Sequence, residues 1–147
     1  MITGFNHTSF TVSELEKAVR FWTEGLGFRA DSVSERTGDW QGRITGVPGA
    51  KLKIAHLFGY NHHIELIEYL EAAGEERTLH PNMAGVAHIC LDVEKIESVI
   101  QKLTSLGAAP QGEMVEVDSG PVKGCRSIYL RDPSGILIEL EELPREK

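Results

Sequence analysis

The chain is written twice. One copy starts Asn6-His7-Thr8-Ser9-Phe10-Thr11-Val12 and ends Ile64-Glu65-Leu66-Ile67-Glu68; the other starts Ala87-His88-Ile89-Cys90-Leu91-Asp92-Val93 and ends Ile138-Glu139-Leu140-Glu141-Glu142. A duplicated unit constrains the fold strongly, because both copies must form the same elements. It also repeats a histidine and a carboxylate at equivalent places. If the halves pack about a pseudo-twofold, four metal-ligand side chains can converge on one centre.

The repeat runs deeper than the ends. Counting from each histidine, Val12 matches Val93, Leu15 matches Ile96 and Val19 matches Ile100, before a one-residue slip at Leu26-Gly27 against Leu106-Gly107. Apolar positions at this spacing, with Glu14, Glu16, Lys17 and Arg20 or Glu94, Lys95, Glu97 and Lys102 between them, predict one amphipathic helix per copy. Ser13 with Glu16 has the pattern of a capping box, and Gly27 and Gly107 suit the left-handed residue that ends a helix.

Each copy thus reads as strand, helix and three strands. In the first copy, strands fall at 5–12, 28–37, 50–58 and 62–69 and the helix at 14–25; Pro48-Gly49 and Gly59-Tyr60-Asn61 supply turns. The second copy repeats the order at 86–92, 94–106, 111–117, 124–131 and 136–142, with Asp132-Pro133-Ser134-Gly135 as a hairpin turn. Residues 71–83 connect the copies. The expected organisation is a single domain over 1–147, with an internal repeat at 5–70 and 86–143.

At 147 residues with 41% hydrophobic side chains, the chain can build one compact core. A net charge of −7 with dispersed Lys and Arg argues against a nucleic-acid partner. There is no apolar run of the roughly 18–20 residues a membrane span needs and no leader-like start. With only two cysteines, Cys90 and Cys125, a reducing, cytoplasmic setting is expected.

Strand alternation assigns faces. Phe10 and Val12 oppose His7, Ser9 and Thr11; Ile64 and Leu66 oppose His63, Glu65 and Tyr69; Ile138 and Leu140 oppose Glu139. The His and Glu of each copy are therefore expected on the face away from the helices.

These features resemble the vicinal oxygen chelate superfamily, which includes glyoxalase I, methylmalonyl-CoA epimerase, extradiol dioxygenases and the fosfomycin and bleomycin resistance proteins. The resemblance is carried by His7 through Val12, Leu15-Glu16-Lys17-Ala18-Val19-Arg20-Phe21-Trp22, Leu26-Gly27-Phe28, His88 with its helix, and Asp132 through Leu140. It implies an α+β fold of two tandem βαβββ modules forming a cupped, barrel-like mixed sheet. It also implies a divalent metal held by His7, Glu65, His88 and Glu139. Imidazole and carboxylate ligands suit Ni, Co, Zn, Mn or Fe(II) alike.

The activity the resemblance implies first is that of a glyoxalase-like lyase or isomerase. A small bidentate substrate would meet the metal, and Glu139, with Glu65 on the other face, would move a proton next to a carbonyl. Two departures weigh against glutathione. Bacterial glyoxalases have Arg four residues after the first His and Asn four after the first Glu, where this chain has Thr11 and Tyr69. A methylmalonyl-CoA-epimerase-like enzyme is an alternative, although that family usually has Gln at the place of Glu65. An extradiol-type dioxygenase is another, with Tyr129 placed ten residues before Glu139 as in those enzymes. A binding protein without turnover would instead use Trp22, Trp40, Phe58 and Tyr60 to line a cleft.

Among other polar residues, His63 shares the face of Glu65 and is a candidate substrate contact, together with Tyr69 and Tyr129; His62 lies beside it. Arg126 is a candidate for an anionic substrate tail, with Arg43, Lys53 and Lys123 as others. Cys90 lies on the His88 face. Unpaired sheet edges predict a homodimer, and the site could form within one chain or across two.

Overall fold

The computed structural model describes residues 1–75 and 77–144. Glu76, in the expected connection, and 145–147, in the expected domain, lie outside the described residues. The fold is α+β, with two tandem βαβββ modules, each a mixed sheet. The chain divides into two compact units, Met1–Arg77 and Thr78–Lys147.

In the first unit, β1 (Thr8–Thr11) leads into α1 (Leu15–Arg20), which continues as a π-helical turn over Phe21–Gly25. Then come β2 (Arg29–Arg36), α2 (Trp40–Thr45), β3 (Lys51–Gly59) and β4 (His62–Glu71). The sheet order is β1-β4-β3-β2, with β1 parallel to β4 and the other pairs antiparallel. Leu15, Ala18, Phe21 and Trp22 are fully or almost fully buried, as are Ala55, Leu57, Ile64 and Leu66. Burial of this kind contributes ~25 cal/mol per Å² of apolar surface, which fixes the register.

In the second unit, β5 (His88–Asp92) and α3 (Ile96–Ser105) precede β6 (Ala109–Pro110), β7 (Val115–Glu116), β8 (Arg126–Arg131) and β9 (Leu137–Glu142). The order is β5-β9-β8-β6, with β7 also on β8 and β5 parallel to β9. Ile96 and Leu103 of α3 are fully buried, as are Leu130, Ile138 and Leu140 of the sheet.

Four local expectations are corrected. The opening strands begin at Thr8 and His88, later than expected, so His7 stands just ahead of β1. The strand at 111–117 is reduced to β6 and β7, since Pro110 lacks an amide donor and Gly112 adds backbone freedom between them. The Ser13 capping box does not form: Leu15 N donates instead to Glu68 Oε2 at 2.9 Å, a partner from β4. And α2 arises where the alternation pattern gave only a turn, bounded by Asp39 and by Gly46 at φ 72°. Gly27 and Gly107, by contrast, take the left-handed values 79° and 99° as expected.

Candidate metal and proton-transfer site

Parallel pairing of first and last strands brings each His to its Glu. In the first unit Ser9 is in register with Glu65, and in the second Cys90 is in register with Glu139. The histidine two residues earlier therefore shares the glutamate's face. His7 Nε2 lies 3.6 Å from Glu65 Oε1, and His88 Nε2 lies 3.2 Å from Glu139 Oε2.

The antiparallel hairpin adds a third partner to each pair. His56 is opposite Glu65 and Tyr129 is opposite Glu139. His56 Nδ1 is 3.8 Å from Glu65 Oε2 and 3.0 Å from His63 Nε2, and the His63 ring stacks on Phe58 at 4.4 Å. In the second unit the Tyr129 hydroxyl donates to Glu139 Oε2 at 2.8 Å and lies 3.1 Å from His88 Nε2, while Ser127 Oγ donates to Glu139 Oε1 at 3.0 Å. Burial, then the bond to Glu139, pushes the Tyr129 phenol up to about 12, so it stays a donor.

His56 was missed in the sequence, yet a signal for it exists. Tyr60 and Asn61 both have positive φ, 53° and 59°, which makes a two-residue hairpin turn. Such a turn pairs Gly59 with His62 and so counts His56 onto Glu65. The Tyr60 conformation is held by its hydroxyl, which donates to Leu26 O at 2.7 Å.

Each His–Glu pair consists of ligand types that a divalent cation takes. The side chains of Glu65 and Glu139 are 13% and 16% exposed, and among the described residues neither has Lys or Arg within 4.0 Å. Glu65 has imidazoles as its charged-type neighbours, while Glu139 accepts from Ser127 and Tyr129 and faces the His88 imidazole. Asn6 Oδ1 lies 2.6 Å from His7 Nδ1; a proton on Nδ1 donates to it and leaves the Nε2 lone pair facing Glu65. Cys90 Sγ also groups with carboxylate oxygens of Glu139 and Glu141 within 4.8 Å. Although Cys90 is exposed as a residue, desolvation of its thiol and the nearby carboxylates push it up to about 12. It is therefore held as the thiol.

The remaining candidates separate by face. Tyr69 is half-buried against Ala50, Leu52 and Ile54, on the Glu65 side of the sheet. Lys53 and Arg126 lie on the helix sides. Lys53 pairs with Glu16 of α1, and Arg126 bonds Glu142 and Glu97, with its Nε donating to Glu142 Oε2 at 2.8 Å. Trp22 is fully buried. The expectation that the Glu65 face is free of helices is corrected by α2, whose Trp40, Gln41 and Ile44 share a cavity with His56 and Glu65. Among the described residues no helix is long and apolar enough to cross a membrane.

Compared with known proteins, residues 4–140 match the family model of the Glyoxalase/Bleomycin resistance protein/Dioxygenase superfamily. The 2-epi-5-epi-valiolone epimerase of Actinomyces sp is 32% identical over 146 residues, covering 95% of this chain and 79% of that protein. The lactoylglutathione lyase of Salmonella typhimurium is 29% identical over 140 residues, covering 92% and 90%. In structure, a glyoxalase family protein from Bacillus cereus superposes with a TM-score of 0.83 at 28% identity, covering 99% and 97%.

Proposed function

The chain belongs to the glyoxalase/bleomycin resistance protein/dioxygenase superfamily, and we propose that it is a metal-dependent isomerase or lyase moving a proton next to a carbonyl. The observation that carries this reading is the repeated pair of withdrawn carboxylates, Glu65 and Glu139, each facing an imidazole and neither facing Lys or Arg. The proposed metal ligands are His7, Glu65, His88 and Glu139, and Ni, Co, Zn, Mn or Fe(II) all suit such ligands. Such an ion, when bound, polarises a substrate carbonyl and offsets the charge of both carboxylates.

The chain's own residues do the rest. Glu139 and Glu65 are the proposed bases: a carboxylate accepts the proton from carbon and a proton is returned to that carbon, so that its configuration can change with no net loss of atoms. The Tyr129 hydroxyl holds Glu139 in place and stands ready to contact a substrate oxygen. His63, stacked on Phe58 and bonded to His56, keeps that imidazole beside Glu65. Similarity to an epimerase supports isomerisation, and Thr11 and Tyr69 weigh against a glutathione thioester product. The protein is further proposed to act on a small molecule in the cytoplasm, as a homodimer, because β1 and β2 leave the first sheet with two edges.

A ring-cleaving dioxygenase is the second reading, favoured by the Tyr129 hydroxyl beside both His88 and Glu139. The two part experimentally. Protein loaded with each metal is assayed for metal per chain and for solvent deuterium entering hydroxyketones, 2-oxoaldehyde thiol adducts and acyl-CoA epimers, with catechols under O₂ in parallel. Metal-dependent exchange is the expected result. Oxygen-dependent cleavage of a catechol, with no exchange into any carbonyl compound, would overturn the proton-transfer reading.

A further inference from the structure

The helix α2 builds a wall on the Glu65 side of the first sheet, and that wall holds an unanswered polar atom. Gln41 is 2% exposed, and its Nε2 has no hydrogen-bond partner among the described residues. A buried amide donor left unpaired costs about 1–3 kcal/mol. The backbone around it is tied down, since Gln41 N donates to Gly38 O at 3.0 Å and Thr45 Oγ1 donates to Gln41 O at 2.7 Å. A Cβ at Gly42 would stand 2.9 Å from Val47 O, so α2 lies close on the loop that follows it.

Gln41 lines a cavity of about 330 Å³ together with Trp40, Ile44, Arg36, His56 and Glu65. Trp40 and Ile44 are 53% and 74% exposed, an apolar surface next to polar groups. Arg36 makes no ion pair among the described residues. The unanswered Gln41 amide and the part-exposed Arg36 guanidinium are both donors, so a partner here presents acceptor oxygens. It also presents an apolar face to Trp40, as the C–H side of a saturated ring does. Glu65 lines the same cavity, so the reacting carbon belongs to the ring itself.

We infer that this cavity seats the ring of the substrate, a cyclic polyhydroxy ketone, with Gln41 Nε2 donating to a hydroxyl oxygen on the ring and Trp40 covering its C–H face. The inference rests on the proton-transfer reading for its reacting carbon, but the seat itself needs neither metal nor turnover.

The test uses metal-free protein and myo-inositol, a cyclitol without a carbonyl to react, followed through tryptophan emission. Trp22 is fully buried, so a ligand-dependent change reports on Trp40. Saturable binding is expected. Gln41→Met should weaken it by about tenfold, the worth of one hydrogen bond to a buried amide. The same variant should melt at an equal or higher temperature, because it removes a donor that the free protein leaves unpaired. Trp40→Ala, at an exposed position, should lose binding by calorimetry while keeping its Tm within a few degrees.

Wild-type affinity in both variants would overturn the inference, and so would a lower Tm in Gln41→Met, which would make the amide a structural group. The two readings fail separately. Inositol binding that is lost in the variants, with no proton exchange under any metal, would leave the seat standing and remove the activity. Exchange into 2-keto-myo-inositol and dihydroxyacetone with kcat/KM unchanged in Gln41→Met would do the reverse.

Discussion

The two modules keep the same His–Glu pair and differ in almost everything around it. Glu65 sits among imidazoles, with Ser9 Oγ at 3.3 Å and His7 and His56 farther away, whereas Glu139 is gripped on both oxygens by Ser127 and Tyr129. One carboxylate is loosely held beside an open cavity and the other is fixed. Outside the site the contrast continues. The first module spends its β2–β3 connection on α2 and a cavity wall, while the second has only bends and turns between β7 and β8 and replaces the long β2 by the short β6 and β7. The difference is a division in how the two carboxylates are held: the first faces a cavity with few bonds, and the second is fixed by two hydroxyl donors.

That division makes its largest prediction in turnover. Replacing either Glu65 or Glu139 by Gln should lower the rate of proton exchange on the order of 10²–10⁴-fold, the usual worth of a positioned general base. The metal content should respond unequally. Glu139→Gln keeps its Tyr129 and Ser127 bonds in part and should retain more metal than Glu65→Gln, as read by metal analysis after gel filtration. Equal metal loss in both would remove the distinction between loose and fixed carboxylates.

A second comparison concerns how each helix is started. Both modules do it with a glutamate three residues past the site glutamate, on the opposite face of the closing strand: Glu68 accepts from Leu15 N at 2.9 Å, and Glu142 from Lys95 N at 2.5 Å. Glu142 is further clamped by Arg126, itself bonded to Glu97 of α3, and the Arg126 bond holds the Glu142 carboxyl below its ordinary range. Glu68→Ala should cost about 1 kcal/mol, a typical helix-cap loss. Glu142→Ala should cost more, because Arg126 also loses a partner.

The pH dependence follows from the sign of that shift. A carboxyl whose folded pKa is depressed contributes stability that is present above its ordinary value near 4.5 and lost as the pH falls through the lower folded value. Wild type should therefore lose stability below about pH 4.5 more steeply than Glu142→Gln. Thermal melts across that window would measure it, and parallel curves would show that the clamp carries no linkage.

Much of the first-order design was legible before any coordinates. The duplicated His and Glu, the βαβββ order and the alternation that puts Glu65 and Glu139 opposite the apolar core all follow from periods of two and of about 3.6 in the residues themselves. What stayed hidden depends on contacts far apart in the chain. The caps from Glu68 and Glu142 cross 53 and 47 positions, while local pattern offered Ser13. His56 became visible only with the hairpin register, which a Tyr-Asn turn without glycine disguises. The wall α2 is a six-residue helix, too short for periodicity to show.

The smallest prediction tests the register partners of the two glutamates. Tyr129→Phe deletes a hydroxyl that donates to Glu139 at 2.8 Å and lies 3.1 Å from His88, so it should destabilise the protein by about 1 kcal/mol, the net value of one such bond. His56→Phe should cost less, since His56 approaches Glu65 only to 3.8 Å and its closer contact is the neighbouring His63 at 3.0 Å. A phenyl ring there can also keep packing beside the His63 ring, whose centre lies 5.2 Å from that of His56. Urea unfolding of the metal-free proteins separates the two. A His56→Phe loss equal to or larger than that of Tyr129→Phe would mean that the first module grips its carboxylate as firmly as the second, and the asymmetry between them would fall.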